Sequence, residues 1–286
     1  MKITNNFNLP QVLVDAALND PYDPGESDIS VTRLISPPRL VALAKQHAGD
    51  LSEDVSDRLY SLMGQAMHHI LERAGDPLGE RIIEKRLFST VNGWVLSGQL
   101  DLWEDNVLYD YKFTSTWETI NGLKPDKIAQ LNVLAWLCRK NNIQVDKVFI
   151  VALYRDWSRS QAKRERDYPQ SQVGVIEAPV WTDAECEAYI EERIEMHKAA
   201  MFNLPECTEE DQWARPAKYA LMKEGQKKAI RLLDSESELI RYAEKRKLAF
   251  DGKLKAQHYV EFRPGEKVRC ESYCAASAFC SQFNGA

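Results

Sequence analysis

The chain has 286 residues, 44% of them hydrophobic and 28% charged, with a formal net charge of −6. This is the composition of a soluble globular protein with room for one large domain or two small ones. No apolar run approaches membrane-spanning length, and the start, MKITNNFNLPQVLVDAALND, lacks a basic region followed by an uninterrupted apolar stretch, so a cytoplasmic protein without a secretory signal is expected. The acidic balance argues against non-specific coating of nucleic acid but leaves a nuclease open, since acidic metal ligands add negative charge while local basic patches handle phosphate.

The first fifty residues hold a loop rich in Asp, Pro and Gly (Asp20 to Asp28), then a helix opened by Pro37-Pro38. From Ser56 to Ala74, Leu59, Leu62, Met63, Ala66 and Ile70 recur at helical spacing, and Gly75-Asp76-Pro77 ends the pattern. The period then changes. Arg81 to Val91 and Trp94 to Trp103 flank Asn92-Gly93, a two-residue hairpin signal, and after Glu104-Asp105-Asn106 a third strand runs from Val107 to Phe113. Residues 126–141 form an amphipathic helix with Ile128, Leu131, Leu134, Ala135 and Cys138 on one side, and Asp146 to Tyr154 reads as a buried strand. Helix, three strands, helix, strand predicts an α/β core with a mixed central sheet flanked by helices.

Beyond Arg155 the character shifts. Residues 155–168 are polar and basic; residues 182–201 read as a helix with Thr182 and Glu185 as a capping box; 209–233 and 235–249 read as further charged helices. The expected organisation is an N-terminal helical and loop segment (1–55), a core (56–180) and a helical, cysteine-containing C-terminal region (181–286). No internal repeat or low-complexity segment is visible.

The chemistry concentrates in Ser97–Lys112, SGQLDLWEDNVLYDYK. Two carboxylates and a lysine on paired strands suit a magnesium-dependent phosphodiesterase: the carboxylates hold a hard cation and the lysine faces phosphate or orients water. Alone, Asp110-Tyr111-Lys112 is a weak signal, since most such triplets are solvated strand residues. Its company raises it. Gly64, His68 and Glu72 are spaced four apart along one helix face, so His68 can share the cation, small Gly64 can let the helix approach the sheet, and Gln130 can reach the site from the next helix. His69 competes with His68, but His68 keeps the four-residue spacing from Gly64.

In order and spacing, Gly64-x3-His68-x3-Glu72, Gly98-x2-Asp101, Asp110-x-Lys112 and Gln130 resemble the motifs of the RecB-like branch of the PD-(D/E)xK nucleases over roughly residues 30 to 155. One departure is Leu134, which stands where those nucleases usually have a tyrosine. The resemblance implies a restriction-endonuclease-like core and a DNA nuclease, exonuclease rather than endonuclease. It implies Mg²⁺ or Mn²⁺ held by His68, Asp101, Asp110 and the backbone carbonyl of Tyr111, with Lys112 and Gln130 completing the catalytic set.

Cys270-x3-Cys274-x5-Cys280, with Cys207 before it, supplies four thiolates, which select soft or borderline metals. The tail is similar to that of CRISPR-associated and AddB-type nucleases, which implies a [4Fe–4S] cluster on Cys207, Cys270, Cys274 and Cys280; structural Zn²⁺ is the alternative. In those relatives the remote cysteine precedes the nuclease motifs, whereas here no cysteine precedes Cys138. Cys138 and Cys186 fall in helical patterns and read as packing residues.

Arg155, Trp157, Arg159, Lys163 and Arg164 could guide a DNA strand, with Trp157 or Tyr168 stacking a base, and a solvated loop is an equal alternative there; Lys218, Lys223, Lys227, Lys228 and Arg231 could do the same, but for them a charged outer helix face is the plainer reading. The expected partner is single- or double-stranded DNA, with a separate helicase or recombination protein in support, since no phosphate-binding loop of the G-x4-G-K-[ST] type is present. A non-catalytic DNA-binding or assembly subunit with a nuclease-like fold, and an iron–sulfur redox protein, are the alternatives.

Overall fold

The structure, a computed structural model, describes residues 2–19, 25–76 and 79–285. Most of the loop expected over Asp20–Asp28, and Pro77 of the expected helix stop, lie outside the described residues. The chain divides into two compact units, Met1–Pro205 and Glu206–Ala286.

The first unit is built on a six-stranded mixed sheet. Its strands are β1 (Ile29–Ser30), β2 (Arg81–Val91), β3 (Trp94–Glu104), β4 (Val107–Thr114), β5 (Lys147–Tyr154) and β6 (Val173–Ala178). The β2–β3 hairpin turns on Asn92 and Gly93, both in the left-handed region (φ 47° and 75°), as a tight turn matched to strand twist requires. Asp105 and Asn106 (φ 51° and 62°) repeat the device between β3 and β4. Then β5 adds parallel to β4, with Asp110 opposite Ile150, and β6 closes the order antiparallel to β5. The mixed α/β core is thus as expected, although β6 and β1 carry no clear sequence signal.

Three helices frame the sheet: α1 (Leu59–Glu72), α2 (Pro125–Lys140) and α3 (Asp183–Ala200). Along α2 every residue from Leu131 to Cys138 is buried, which is why it fills the centre of the core with Leu96, Leu100, Leu108 and Ile150. Removing each such leucine from water stabilises the fold by about 1.5–3 kcal/mol. The buried Asn132 amide donates to the carbonyls of Ile128 and Pro179, so its polarity is satisfied. The helix α3 starts at the capping box formed by Thr182 and Glu185. Although its sequence position groups it with the C-terminal region, its Cys186, Ile190 and Ile194 belong to the first unit's core. Cys138 and Cys186 are fully buried packing residues, and burial pushes their thiols up to about 12 and about 11.

One buried histidine makes this unit acid-sensitive. His197 of α3 bonds through Nε2 to the Leu34 carbonyl at 3.0 Å, and burial pulls its pKa from 6.5 down to about 4. An unfolded chain takes up this proton near 6.5, the folded protein only near 4. Unfolding therefore gains protons as the pH drops through that window, and stability falls with it. Urea midpoints on either side of the window should fall further in the wild type than in His197→Gln; equal falls would refute the assignment.

The second unit departs from the expected pair of charged helices. Residues 209–233 form no long helix. Instead β7 (Lys218–Lys223) pairs with β8 (Arg231–Leu233) and with a distant strand near the C-terminus, placing Lys227 and Lys228 in the connection. The alternation of Tyr219 and Leu221 toward a helix, α4 (Glu236–Lys245), supplies the core with Leu239 and Ala243; pairing across some forty residues overrides the local charge pattern. The expected helix 235–249 ends at Lys245. Lys247 turns left-handed (φ 59°) and a small hairpin follows, β9 (Ala249–Phe250) and β10 (Lys253–Leu254), before β11 (His258–Arg263) closes the sheet. The C-terminal region is therefore a three-stranded sheet with a helix, not helical alone.

Candidate active site

The two tight turns set the address of each carboxylate. Counting back from Asn92-Gly93 puts Glu84 of β2 opposite Asp101 of β3; counting out from Asp105-Asn106 puts Asp110 of β4 opposite Asp101. Neither of these pairs closes in the ladder. The β3–β4 register stops at Leu102–Tyr109, and Asp101 Oδ2 instead accepts the Tyr111 N–H at 2.7 Å. Glu84 has a left-handed backbone (φ 48°), an uncommon and costly conformation for a glutamate. The sheet opens here to leave side chains facing a cavity.

That cavity, about 910 Å³ and open to solvent, is lined by Gly64, His68, Glu84, Asp101, Asp110, Lys112 and Gln130, among others. Five of the sequence-predicted residues thus share one space: His68, Asp101, Asp110, Lys112 and Gln130. Asp101 and Asp110 are buried at its floor, at 8% and 3% exposure. His68 Nδ1 lies 2.8 Å from Glu84 Oε1 and 3.7 Å from Asp101 Oδ1, while the His68 ring meets the Tyr111 ring edge-on. His69 is exposed and faces Glu72 at 3.6 Å. Lys112 Nζ approaches Asp110 Oδ2 at 2.6 Å, off the hydrogen-bond direction, so this buried oxygen has an ion-pair neighbour but no aligned donor.

The electrostatics follow from this crowding. Burial first, and then the charge of Asp110, push Asp101 up to about 7. Burial works against the Lys112 ammonium, but Asp110 and Asp101 outweigh it and hold it above the ordinary lysine value. The hydrogen bond that His68 donates to the Glu84 carboxylate raises its pKa, against the effect of burial. Carboxylates gathered against their repulsion, and a buried oxygen lacking an aligned donor, are what a bound cation relieves. His68, Glu84 and Asp101 offer donor atoms within 4.8 Å of one another, and oxygen donors with one imidazole suit a hard or borderline divalent ion.

Glu84 was not among the predicted residues. Within Ile82-Ile83-Glu84-Lys85 it looks like an ordinary solvated strand residue; the signal that finds it is the register fixed by Asn92-Gly93. Gly64 needs another reading. A Cβ there would meet nothing within 4 Å, so it lines the cavity and does not serve close packing of the helix. Gly98 is the tight glycine: a Cβ would lie 2.6–2.8 Å from Leu134, Leu137 and Val31. Leu134, also on the cavity wall, is thereby committed to covering Gly98.

The basic segment after β5 lies elsewhere in the unit. None of Arg155, Trp157, Arg159, Lys163 or Arg164 lines the cavity. Arg155 stacks its guanidinium over Tyr60 at 4.5 Å. The partly buried Trp157 ring packs on the main core and donates to the Pro169 carbonyl at 2.7 Å, and Tyr168 is buried with its hydroxyl bonded to the Ser158 amide and Asp156 carbonyl. Base stacking on Tyr168 is thereby excluded, because the ring is used by the fold.

In the second unit Gln282 clasps the peptide of Cys207, accepting its N–H at 2.8 Å and donating to its carbonyl at 2.9 Å. This ties Cys207 to the tail that carries Cys280. Burial, then the neighbouring Cys274 and Cys280, raise the Cys270 thiol. No three of these sulfurs lie within 4.8 Å of one another.

No protein-family model matches this sequence, and none of the curated proteins does. Among solved structures, the fold is similar to the crystal structure of SSO0001, at 18% identity over 71% of this chain and 89% of that one, with a TM-score of 0.47. It is also similar to an alkaline exonuclease, LHK-Exo, from Laribacter hongkongensis, at 16% identity over 60% of this chain and 88% of that one, with a TM-score of 0.38. These are likenesses of fold. No helix among the described residues is long and apolar enough to cross a membrane.

Proposed function

We propose that this chain is a divalent-metal-dependent deoxyribonuclease that hydrolyses phosphodiester bonds from DNA ends. The observation that carries the reading is the convergence of Asp101, Asp110, Lys112, His68 and Glu84 on one open cavity, two of the carboxylates buried and one ammonium held charged beside them. His68, Asp101, Asp110 and the carbonyl of Tyr111 hold Mg²⁺ or Mn²⁺, with Glu84 either a further ligand or the partner that orients His68. When bound, the cation supplies an activated water and offsets the charge that develops on phosphate. The chain's own groups do the rest. Lys112 places its ammonium against the phosphate oxygens, Asp110 fixes that ammonium, and Gln130 positions the substrate from α2.

We further infer that Cys207, Cys270, Cys274 and Cys280 hold a [4Fe–4S] cluster, or a structural Zn²⁺, that fastens the tail of the second unit. The Gln282 clasp, which ties Cys207 to the tail that carries Cys280, supports this.

The test is cleavage of end-labelled linear and circular DNA, single- and double-stranded, with Mg²⁺ or Mn²⁺, by protein purified without oxygen and assayed for iron, labile sulfide and zinc. Cutting confined to linear DNA is the expected result. Cutting of circles would overturn the action at ends, and inert, folded, metal-loaded protein would overturn the nuclease.

A further inference from the structure

We propose that the β9–β10 hairpin of the second unit is a nucleic-acid grip, in which Phe250 stacks on a base of a single strand while the surrounding cations hold its phosphates. The turn Asp251-Gly252 (φ 48° and 71°) joins two-residue strands in which Phe250 pairs with Lys253. Phe250 is 79% exposed. An aromatic ring left in water forgoes stabilisation that a partner can restore.

This ring is held firmly. Glu244 Oε1 of α4 accepts the Gly252 N–H at 2.9 Å, the Lys255 N–H bonds the Leu248 carbonyl at 2.9 Å, and Ala249, Leu248 and Leu254 sit in the unit's core. The tip is therefore a fixed platform, which spares a ligand the ordering of a loose loop.

Along the segment that leads into and forms the hairpin the charge is one-sided. Residues 241–255 carry Arg241, Lys245, Arg246, Lys247, Lys253 and Lys255 against only Glu244 and Asp251, in a chain of net charge −6. All six basic side chains are exposed, and Glu244 is turned to the hairpin. An exposed ring among cations matches a base among phosphates: rings stack on any base, and the charges follow the backbone. One ring without further apolar neighbours at the tip is too little for insertion into a bilayer, which favours the nucleic acid. The choice of a DNA strand rests on the substrate proposed above.

The experiment is binding of a fluorescent single-stranded oligonucleotide by the full, metal-loaded chain in buffer without added Mg²⁺ or Mn²⁺, where no cleavage is needed. Phe250→Ala should weaken binding roughly tenfold, within the range for loss of one stacked base, and Phe250→Trp should keep it. Lys253→Gln with Lys255→Gln should lower the slope of log affinity against log salt by about 0.7 for each phosphate that is no longer neutralised. Circular dichroism checks that each variant is folded. Affinity and salt slope unchanged in all variants, no binding by the wild type, or Phe250-dependent binding to phosphatidylserine vesicles without oligonucleotide binding would each overturn the grip. Hairpin-dependent binding by a chain that cuts no DNA would instead leave the grip standing and remove the nuclease.

Discussion

Asp110→Asn should abolish metal-dependent cleavage, by about a thousandfold or more, equivalent to about 4 kcal/mol of barrier. The substitution keeps the size of a side chain that is 3% exposed, so the loss is one of charge and not of packing. It also removes the counter-charge of Lys112 at 2.6 Å. Calorimetric Mn²⁺ binding should weaken together with the rate. Lys112→Met should separate the two, with cleavage lost and Mn²⁺ binding retained, because the ammonium is assigned to the phosphate and not to the ion. Activity surviving in Asp110→Asn, or Mn²⁺ binding lost equally in both variants, would mean that this division of labour is wrong.

Gly98→Ala should destabilise the first unit by about 3 kcal/mol, at the upper end of the cost of overpacking a well-filled core. The added methyl would press on three branched side chains at 2.6–2.8 Å, and Leu134, Leu137 and Val31 belong to elements that are all locked in the same core. Folded domains have only about 5–15 kcal/mol to lose. Gly64→Ala is the contrast. Its methyl meets nothing within 4 Å, and alanine gains up to about 1 kcal/mol over glycine in a helix. Denaturant midpoints should therefore move in opposite directions for these two glycines. A Gly98→Ala protein as stable as the wild type would show that α2 can back away from the sheet.

Much of the candidate site is legible in the sequence because tight turns make register a matter of counting. Asn92-Gly93 and Asp105-Asn106 fix which residues of β2, β3 and β4 face each other, and helical spacing selects His68 over His69. The same counting finds Glu84, once partners of Asp101 are sought as well as motif residues. What stays hidden depends on neighbours distant in sequence. Lys218–Lys223 is a strand because residues 258–263 lie beside it, and its flanking charges give no hint of that. Tyr168 reads as an aromatic among arginines, and only the fold shows its hydroxyl used at Ser158 and Asp156. The C-terminal cysteines are visible as a group, but the Gln282 clasp on Cys207 spans 75 residues and has no local signature.

The left-handed backbone of Glu84 bears on how long the protein survives as well as on what it does. A glutamate at φ 48°, beside a carboxylate lifted to about 7, costs the fold about 1–3 kcal/mol for the backbone alone. A ligand that binds only the folded chain stabilises it by an amount that grows with the logarithm of its concentration. On the proposed metal site, the supply of divalent ion therefore sets the fraction of molecules open to proteolysis. Loss of the ion would then raise that fraction as well as stop the proposed cleavage.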